Sequence, residues 1–420
     1  MKQSAFSIVF CAMLAVSSTA ASANLCPFCD APSLTLAEQV DQSGHLLLAK
    51  WLGGEKPTNE TAGTAKFTIV EVAKSKSDLF KVGEEIELPQ YISGDEEALY
   101  VLMGPGIKFI DWHVPNEATQ SSWDYISNLP PLETVQEKQI ERLAYFLDFL
   151  QHPELTVSND AYAEFASAPY EIITPLRDKM PRDNLRAWVS DPDTPVTRIG
   201  LYGLLLGLCG KEEDAEAMEQ KILNPDSDFR LGIEGVMSGY LLITGEEGLR
   251  VLEKNKMESK TYTNKDGEEV KLPFSEVYAT MQTLRFMWTY EPDRIPKARL
   301  KKSMRTLLGR PELADLVIAD LARWKDWDNQ AQLMAMYDDE EFDIPSIKRA
   351  IVRYFYYCSK DVPEDTKTAE GSDSTTDVET ATDKPDVELP PHAVSAAKNL
   401  AVLEEKDPKT VKNAKRFLIR

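Results

Sequence analysis

The stretch RIGLYGLLLG, Arg198 to Gly207, returns 32 residues later as RLGIEGVMSG, Arg230 to Gly239. Arg198 aligns with Arg230, and Gly200, Gly203 and Gly207 align with Gly232, Gly235 and Gly239. The apolar residues between them align as well, Ile199, Leu201, Leu204 and Leu205 with Leu231, Ile233, Val236 and Met237. A glycine inside a helix costs about 1 kcal/mol relative to alanine, so three in one apolar stretch, twice over, demand packing that offsets the cost. At helical spacing the glycines share one face, where a neighbouring backbone can approach closely. Each copy follows a Pro-Asp turn, PDTP (Pro192–Pro195) or PDSD (Pro225–Asp228). Each precedes a glycine and an acidic second helix, in GKEEDAEAMEQKIL (Gly210–Leu223) or GEEGLRVLEK (Gly245–Lys254). Helix pairs recurring at this interval predict an α-solenoid in which neighbours stack. The competing reading of Gly203 and Gly207, a small-xxx-small membrane contact, fails on length. The apolar run Ile199–Cys209 lies between Arg198 and Lys211 and is far short of the roughly 20 residues a span needs.

The rest of the chain divides by hydrophobic period. Residues 44–120 carry five short segments rich in β-branched and aromatic residues: His45–Leu52, Ala65–Lys74, Glu84–Ile92, Ala98–Gly104 and Ile107–Val114. Glycines punctuate them, and Gly104-Pro105-Gly106 reads as the turn of a final hairpin. Five strands of this length predict a small OB-like β-barrel. Over 121–360 the period becomes helical, as in Leu132–Leu150, where Val135, Ile140, Leu143, Phe146, Leu147 and Leu150 form one stripe. No strand pattern is visible there. Residues 361–389 are acidic, low in complexity and free of aromatics, and are expected to be a disordered loop. Residues 390–420 return to a helical stripe through Val394, Ala397, Leu400 and Leu403, a helical pair that completes the solenoid. The fold class is thus α+β and multidomain: an N-terminal five-stranded OB-like β-barrel followed by an all-α solenoid.

The chain opens with a positive Lys2, an apolar Phe6–Val16 and a small-x-small Ala21-Ser22-Ala23. Residues 1–23 therefore read as a signal peptide cleaved after Ala23, which places the mature chain in the periplasm or outside the cell. No later segment has the uninterrupted apolar length of a membrane span. A net charge of −22 repels phosphate backbones and argues against nucleic acid as a partner. Four cysteines follow the cleavage point, Cys26, Cys29, Cys209 and Cys358. That is too few for a disulfide scaffold in nearly 400 residues, so stability has to come from packing.

Residues 24–43 hold the one chemically suggestive motif, Cys26-Pro27-Phe28-Cys29. Redox enzymes place C-x-x-C after a strand and at a helix N-terminus, which lowers the thiolate pKa. Here no strand precedes it, so a short disulfide or half of a metal site is the expected role, with thiol–disulfide or metal handling the alternative. His45, His113, His152 and His392 are scattered and form no ligand pair. No G-x-S-x-G or phosphate-cradling loop occurs, so no catalytic residue, cofactor or metal site is assigned. The acidic run Asp338–Asp343 lacks the spaced oxygen ligands of an EF-hand and reads as a solvated turn. The aromatic run Arg353–Cys358, with Trp324 and Trp327, reads as a core helix and its neighbour, with an aromatic binding groove as the alternative. Cys209 and Cys358 lie in apolar helices and read as buried thiols.

An Asp/Pro-marked turn, an arginine near the start of a helix, and a second helix after a glycine resemble HEAT-type repeats, most specifically over Pro192–Leu223 and Pro225–Lys254. With the leader and the N-terminal CPFCDAPSLTLAEQ, the whole is similar to secreted HEAT-like proteins of planctomycete-type bacteria. The layout of Cys26–Leu52, cysteines then a short helix then a first strand, resembles netrin-like domains. It departs from them in the Asn24 and Leu25 that precede the first cysteine and in a strand region without cysteines. The HEAT resemblance implies a non-enzymatic scaffold that binds another protein along the solenoid surface, with a basic partner face expected from the chain's charge.

Overall fold

Thr35 and Glu38 cap each other's backbone, the Thr35 amide donating to Glu38 Oε2 at 2.8 Å and the Glu38 amide to Thr35 Oγ1 at 3.3 Å. This reciprocal cap satisfies two donors that a helix start leaves open and begins α1 (Leu36–Gln42). The computed structural model describes residues 26–28, 34–59, 61–95, 97–224, 230–264, 266–361 and 389–416. Five strands follow α1: β1 (His45–Glu55), β2 (Thr64–Ser75), β3 (Glu85–Leu88), β4 (Leu99–Gly104) and β5 (Asn116–Ala118). They form one antiparallel sheet in the order β3-β2-β1-β4-β5.

The sheet is open, because β3 and β5 are its edges and do not pair with each other. This corrects the expected barrel, and burial gives the reason. Leu47, Ala49, Phe67, Ile69, Leu88, Tyr100 and Leu102 form a small core on one face. Leu46, Leu48, Val101 and Met103 enter the large core with Trp123, Tyr125 and Ile126. A barrel has a single interior, whereas this sheet buries apolar side chains on both faces. The first five residues of β1 are accordingly all buried, which blurs the alternation expected of a half-buried strand. The stretch Ile107–Val114, expected as the fifth strand, is irregular, and β5 lies after it. Trp112 packs on the small core and the His113 amide reaches Met103 O at 2.9 Å, but Phe109 and Val114 are 92% and 71% exposed, so the stretch folds back along β4 without the apolar face of a strand. Gly106, at φ +108 and with a Cβ position 3.1 Å from the Phe109 carbonyl carbon, turns the chain too sharply for a regular hairpin.

Seventeen α-helices stand among the described residues. After α2 (Gln120–Ser127), α3 (Gln136–Tyr145), α4 (Leu155–Ala166), α5 (Tyr170–Ile173) and α6 (Arg182–Ser190) come the two copies of the repeat. The first is α7 (Val196–Cys209) with α8 (Glu212–Leu223), and the second is α9 (Ile233–Thr244) with α10 (Glu246–Leu252). A hairpin of β6 (Thr261–Thr263) and β7 (Glu269–Lys271) interrupts the helices, a correction to a region expected without strands. Then come α11 (Phe274–Tyr290), α12 (Lys297–Thr306), α13 (Ala314–Arg323), α14 (Gln330–Asp338) and α15 (Pro345–Ser359), and, beyond residues 362–388, α16 (Pro391–Lys406) and α17 (Pro408–Arg416). The expected loop at 361–389 lies, apart from its two ends, outside the described residues, as do the leader 1–23 and the turn Pro225–Asp228.

The repeated helices pack on each other: α7 on α9, and α9 in turn on α11. The aligned glycines meet at that contact. A Cβ on Gly203 would sit 2.6 Å from Val236 Cα, one on Gly207 would sit 2.7 Å from Gly239 O, and one on Gly235 would sit 2.6 Å from Gly200 Cα. No side chain fits there, so backbone lies on backbone and the glycines earn their place in packing. The copies also differ. Gly200 is inside α7, whereas Gly232 precedes α9 at φ +81, a left-handed turn that glycine adopts without cost. Both repeat arginines anchor earlier helix ends. Buried Arg198 donates to Leu150 O at 3.3 Å and Ser158 Oγ at 3.0 Å. Arg230 donates to Ile222 O at 3.0 Å and to both Glu276 oxygens at 2.8 and 2.7 Å. Arginines placed on the last carbonyls of a helix satisfy acceptors that have no partner within it.

Candidate functional site

Helix α15 runs SIKRAIVRYFYYCS after Pro345, and its residues part cleanly by helical spacing. Ile347, Ile351, Val352, Tyr354, Phe355 and Cys358 are buried. Arg349, Arg353, Tyr357 and Lys360 fall three or four residues apart on the other side. That side faces α13, and between the two helices lies a groove of about 680 Å³. Leu316, Ala319 and Ala322 from α13 and Ala350, Tyr354 and Tyr357 from α15 give it an apolar and aromatic floor, with Trp327 at one end. Five cations line it, Arg323, Lys325, Arg349, Arg353 and Lys360, against two carboxylates, Asp315 and Asp361.

Of the two lining carboxylates Asp361 is taken, whereas Asp315 makes no ion pair among the described residues. Arg323 pairs with Asp320 at 2.9 Å, and Lys325 pairs with Asp361 at 3.0 Å. Asp361 also accepts from Trp327 Nε1 at 2.8 Å and lies 3.1 Å from His392 Nε2. Burial alone would raise the Asp361 carboxyl, but bonds from Lys325 and Trp327, the Lys325 charge and the His392 contact outweigh it and hold it below its usual range. Lys325 occupies the left-handed position just past α13 (φ +50), where glycine is the usual residue. The Asp326 amide reaches Leu321 O at 2.8 Å to close the helix end. The chain there is pinned by Asp326, whose carboxylate takes Arg305 Nε at 2.7 Å and Asn329 Nδ2 at 3.2 Å.

The side chains of Arg349, Arg353 and Lys360 have neither a hydrogen bond nor an ion pair among the described residues. Arg353 Nε is shielded from solvent without an acceptor, an arrangement that costs about 1–3 kcal/mol. Like charges at Arg349 and Arg353 also sit four apart on one helix, which is mildly destabilising. The fold itself offsets neither cost. Chemically the groove offers donors for carboxylates above an apolar floor. It presents no nucleophile paired with a base.

Apart from Trp327 and the run Arg353–Cys358, the residues singled out from sequence lie elsewhere. Cys26 is 4% exposed and belongs to the large core, and the neighbouring Phe28 ring stacks 5.1 Å from Phe286. Cys26 is disulfide-bonded, and Cys29 lies outside the described residues. Cys358 is a buried free thiol as expected, whereas Cys209 is only half-buried; desolvation pushes both up, to about 12 and about 11. Three of the five carboxylates of the acidic turn have partners: Asp338 pairs with Lys406, Asp343 with Lys348 at 2.6 Å, and Asp339 caps the Glu341 amide. Among the described residues no group of three or more His, Cys, Asp or Glu side chains converges as a metal site. No helix among them is long and apolar enough to cross a membrane. The aromatic run Arg353–Cys358 divides between its two readings: Tyr354, Phe355 and Cys358 pack in the core while Arg353 and Tyr357 line the groove. Sequence reasoning passed over Arg349 and Lys360 and took Arg353 only as the first residue of an aromatic run. The available signal was their spacing on one face of a basic helix in an otherwise acidic chain.

Two buried polar groups lie apart from the groove. Asp160 accepts from the Leu36 amide at 2.6 Å and the Tyr125 hydroxyl at 2.7 Å, tying α1 and α2 to α4. Glu276 binds Arg230 and, at 2.8 Å, Lys256, and all three are nearly or wholly buried. Each has a satisfied structural role. No protein family, curated protein or solved structure matches this chain.

Proposed function

We propose that this chain is an exported, non-enzymatic binding scaffold. Its stacked helix pairs would form a HEAT-like array, and the groove between α13 and α15 would be the surface that holds another protein. One observation carries the reading: among the described residues Arg349, Arg353 and Lys360 stand together without carboxylate partners, in a chain of net charge −22. Unpaired cations beside half-exposed aromatic and aliphatic side chains, here Tyr357 at 50% and Leu316 at 37% exposure, are the composition of a docking surface. The glycine-to-glycine contact of α7 and α9 supports the array, and the sequence of residues 1–23 supports export. Burial of Cys26 favours a structural role for the Cys26–Cys29 pair over thiol–disulfide or metal handling.

The test is a photo-crosslinking residue placed at Tyr357, with exposed Glu137 on α3 as the control position, in the chain expressed with its leader. The expected result is capture of a protein partner at Tyr357 and not at Glu137. Equal capture at both positions would overturn the reading. So would thiol–disulfide turnover that disappears in Cys26→Ser.

A further inference from the structure

We propose that the occupant of the α13–α15 groove is an acidic peptide segment of the partner protein, with its carboxylates on Arg349, Arg353 and Lys360. The proposal rests on the scaffold reading above and names the chemistry of the partner. Charge complementarity is the first argument, and it reverses the basic partner face expected from the net charge: the groove holds three cations that the described residues leave unpaired. Spacing is the second. Arg349 and Arg353 are four residues apart on α15, a rise of about 6 Å. Alternate side chains of an extended peptide are about 6.6 Å apart on one face, so acids two positions apart match the two arginines. Lys360 lies about 10 Å further along the helix axis, the reach of three more extended residues. The lining from Ser346 on α15 to Asp361 just past its end extends over roughly 22 Å, enough for six or seven extended residues.

The floor is the third argument. Leu316, Ala319, Ala350 and Tyr357 favour a segment that also carries an apolar or aromatic side chain, which a small inorganic anion lacks. A nucleic acid strand would meet these cations but would also extend past them onto a strongly acidic surface. A short peptide stays within the patch.

The test uses the full chain and three probes: a ten-residue peptide with Asp and Glu at alternate positions and one Phe, its Asn/Gln counterpart, and a single-stranded oligonucleotide of equal charge. Residues 362–388, outside the described residues, carry nine acidic side chains and two lysines in sequence. The titration is therefore repeated on a chain in which those nine are Asn or Gln. The expected result, in one or both chains, is acidic-peptide binding at least tenfold tighter than its neutral counterpart and weaker at higher salt. Arg349→Ala with Arg353→Ala should lower it at least tenfold while leaving the unfolding midpoint unchanged or raised. Equal binding of the neutral peptide, or tighter binding of the oligonucleotide, would overturn the acidic-peptide assignment. If no peptide binds either chain while Tyr357 still captures a partner, the assignment fails and the groove reading survives. If that capture is also lost, the scaffold reading fails with it.

Discussion

Replacing Gly203 by alanine tests the packing on which the helical array depends. In an ordinary helix the change is favourable by about 1 kcal/mol through propensity alone. Here the added carbon would lie 2.6 Å from Val236 Cα, 2.7 Å from Val236 N and 2.8 Å from Val236 Cγ2. Two of the three are backbone atoms, which cannot rotate aside. Carbon atoms rest about 3.5–4.0 Å apart, so α7 and α9 have to separate by about 1 Å. A gap of that size forfeits a quarter to a half of the dispersion energy along the contact, and overpacking of a core typically costs ~1–3 kcal/mol. With the clash on backbone the upper end applies, and after the gain in propensity a net loss of about 2 kcal/mol remains. For a helical unit of this size that corresponds to a fall in Tm of about 4–8 °C. Gly309→Ala is the control, because nothing lies within 4 Å of its Cβ position, and it should be neutral or slightly stabilising. Thermal unfolding followed by circular dichroism reads both. A Gly203→Ala protein that melts at or above the parent temperature would refute the claim that glycine is required by backbone-on-backbone contact.

The other predictions concern buried charge and thiols. Burial is the largest influence on Asp160 and pushes its carboxyl up to about 6, against the lowering effect of bonds from Leu36 and Tyr125. The folded state therefore holds that proton more tightly than the unfolded chain does. Its contribution to stability is complete below pH ~4 and is lost as pH rises through about 6. Asp160→Asn should accordingly gain up to ~3 kcal/mol relative to the parent between about pH 4 and pH 6.5; parallel denaturation curves at all pH values would contradict this. Glu276→Gln leaves Arg230 and Lys256 buried without a counter-charge and should cost ~3–5 kcal/mol, read as a lowered urea midpoint. Lys256→Met should cost less, since Arg230 keeps Glu276. Cys209 and Cys358, raised to about 11 and about 12, should resist iodoacetamide at about pH 8 in the native protein and react after unfolding. Rapid native labelling, measured by mass spectrometry, would contradict their desolvation.

Local chemistry made much of this fold legible in the sequence. The glycines of Arg198–Gly207 and Arg230–Gly239 announce a face that only another backbone can cover, and α7 and α9 cover each other. Four of five expected strands form close to their expected places, because β-branched alternation bounded by glycine is a local signal. The fifth failed because Ile107, Phe109 and Val114 have the composition of a strand but no surface to pack on. Closure of the sheet could not be read either, since it depends on Leu46, Leu48, Val101 and Met103 joining the large core that the helices build, residues far apart in the chain.

The candidate groove divides in the same way. Periodicity along α15 determines that Arg349, Arg353 and Tyr357 share a face, because side-chain direction follows from the helix itself. Whether that face is covered depends on how α13, some thirty residues earlier, leans against it. The same division separates Asp160, an ordinary aspartate in sequence, from the buried carboxyl that joins α1, α2 and α4. Helical period and glycine spacing act over a few residues and are fixed by the sequence alone. Open grooves, solvent exclusion and displaced pKa values arise where distant surfaces meet, and only the tertiary structure decides how closely they do.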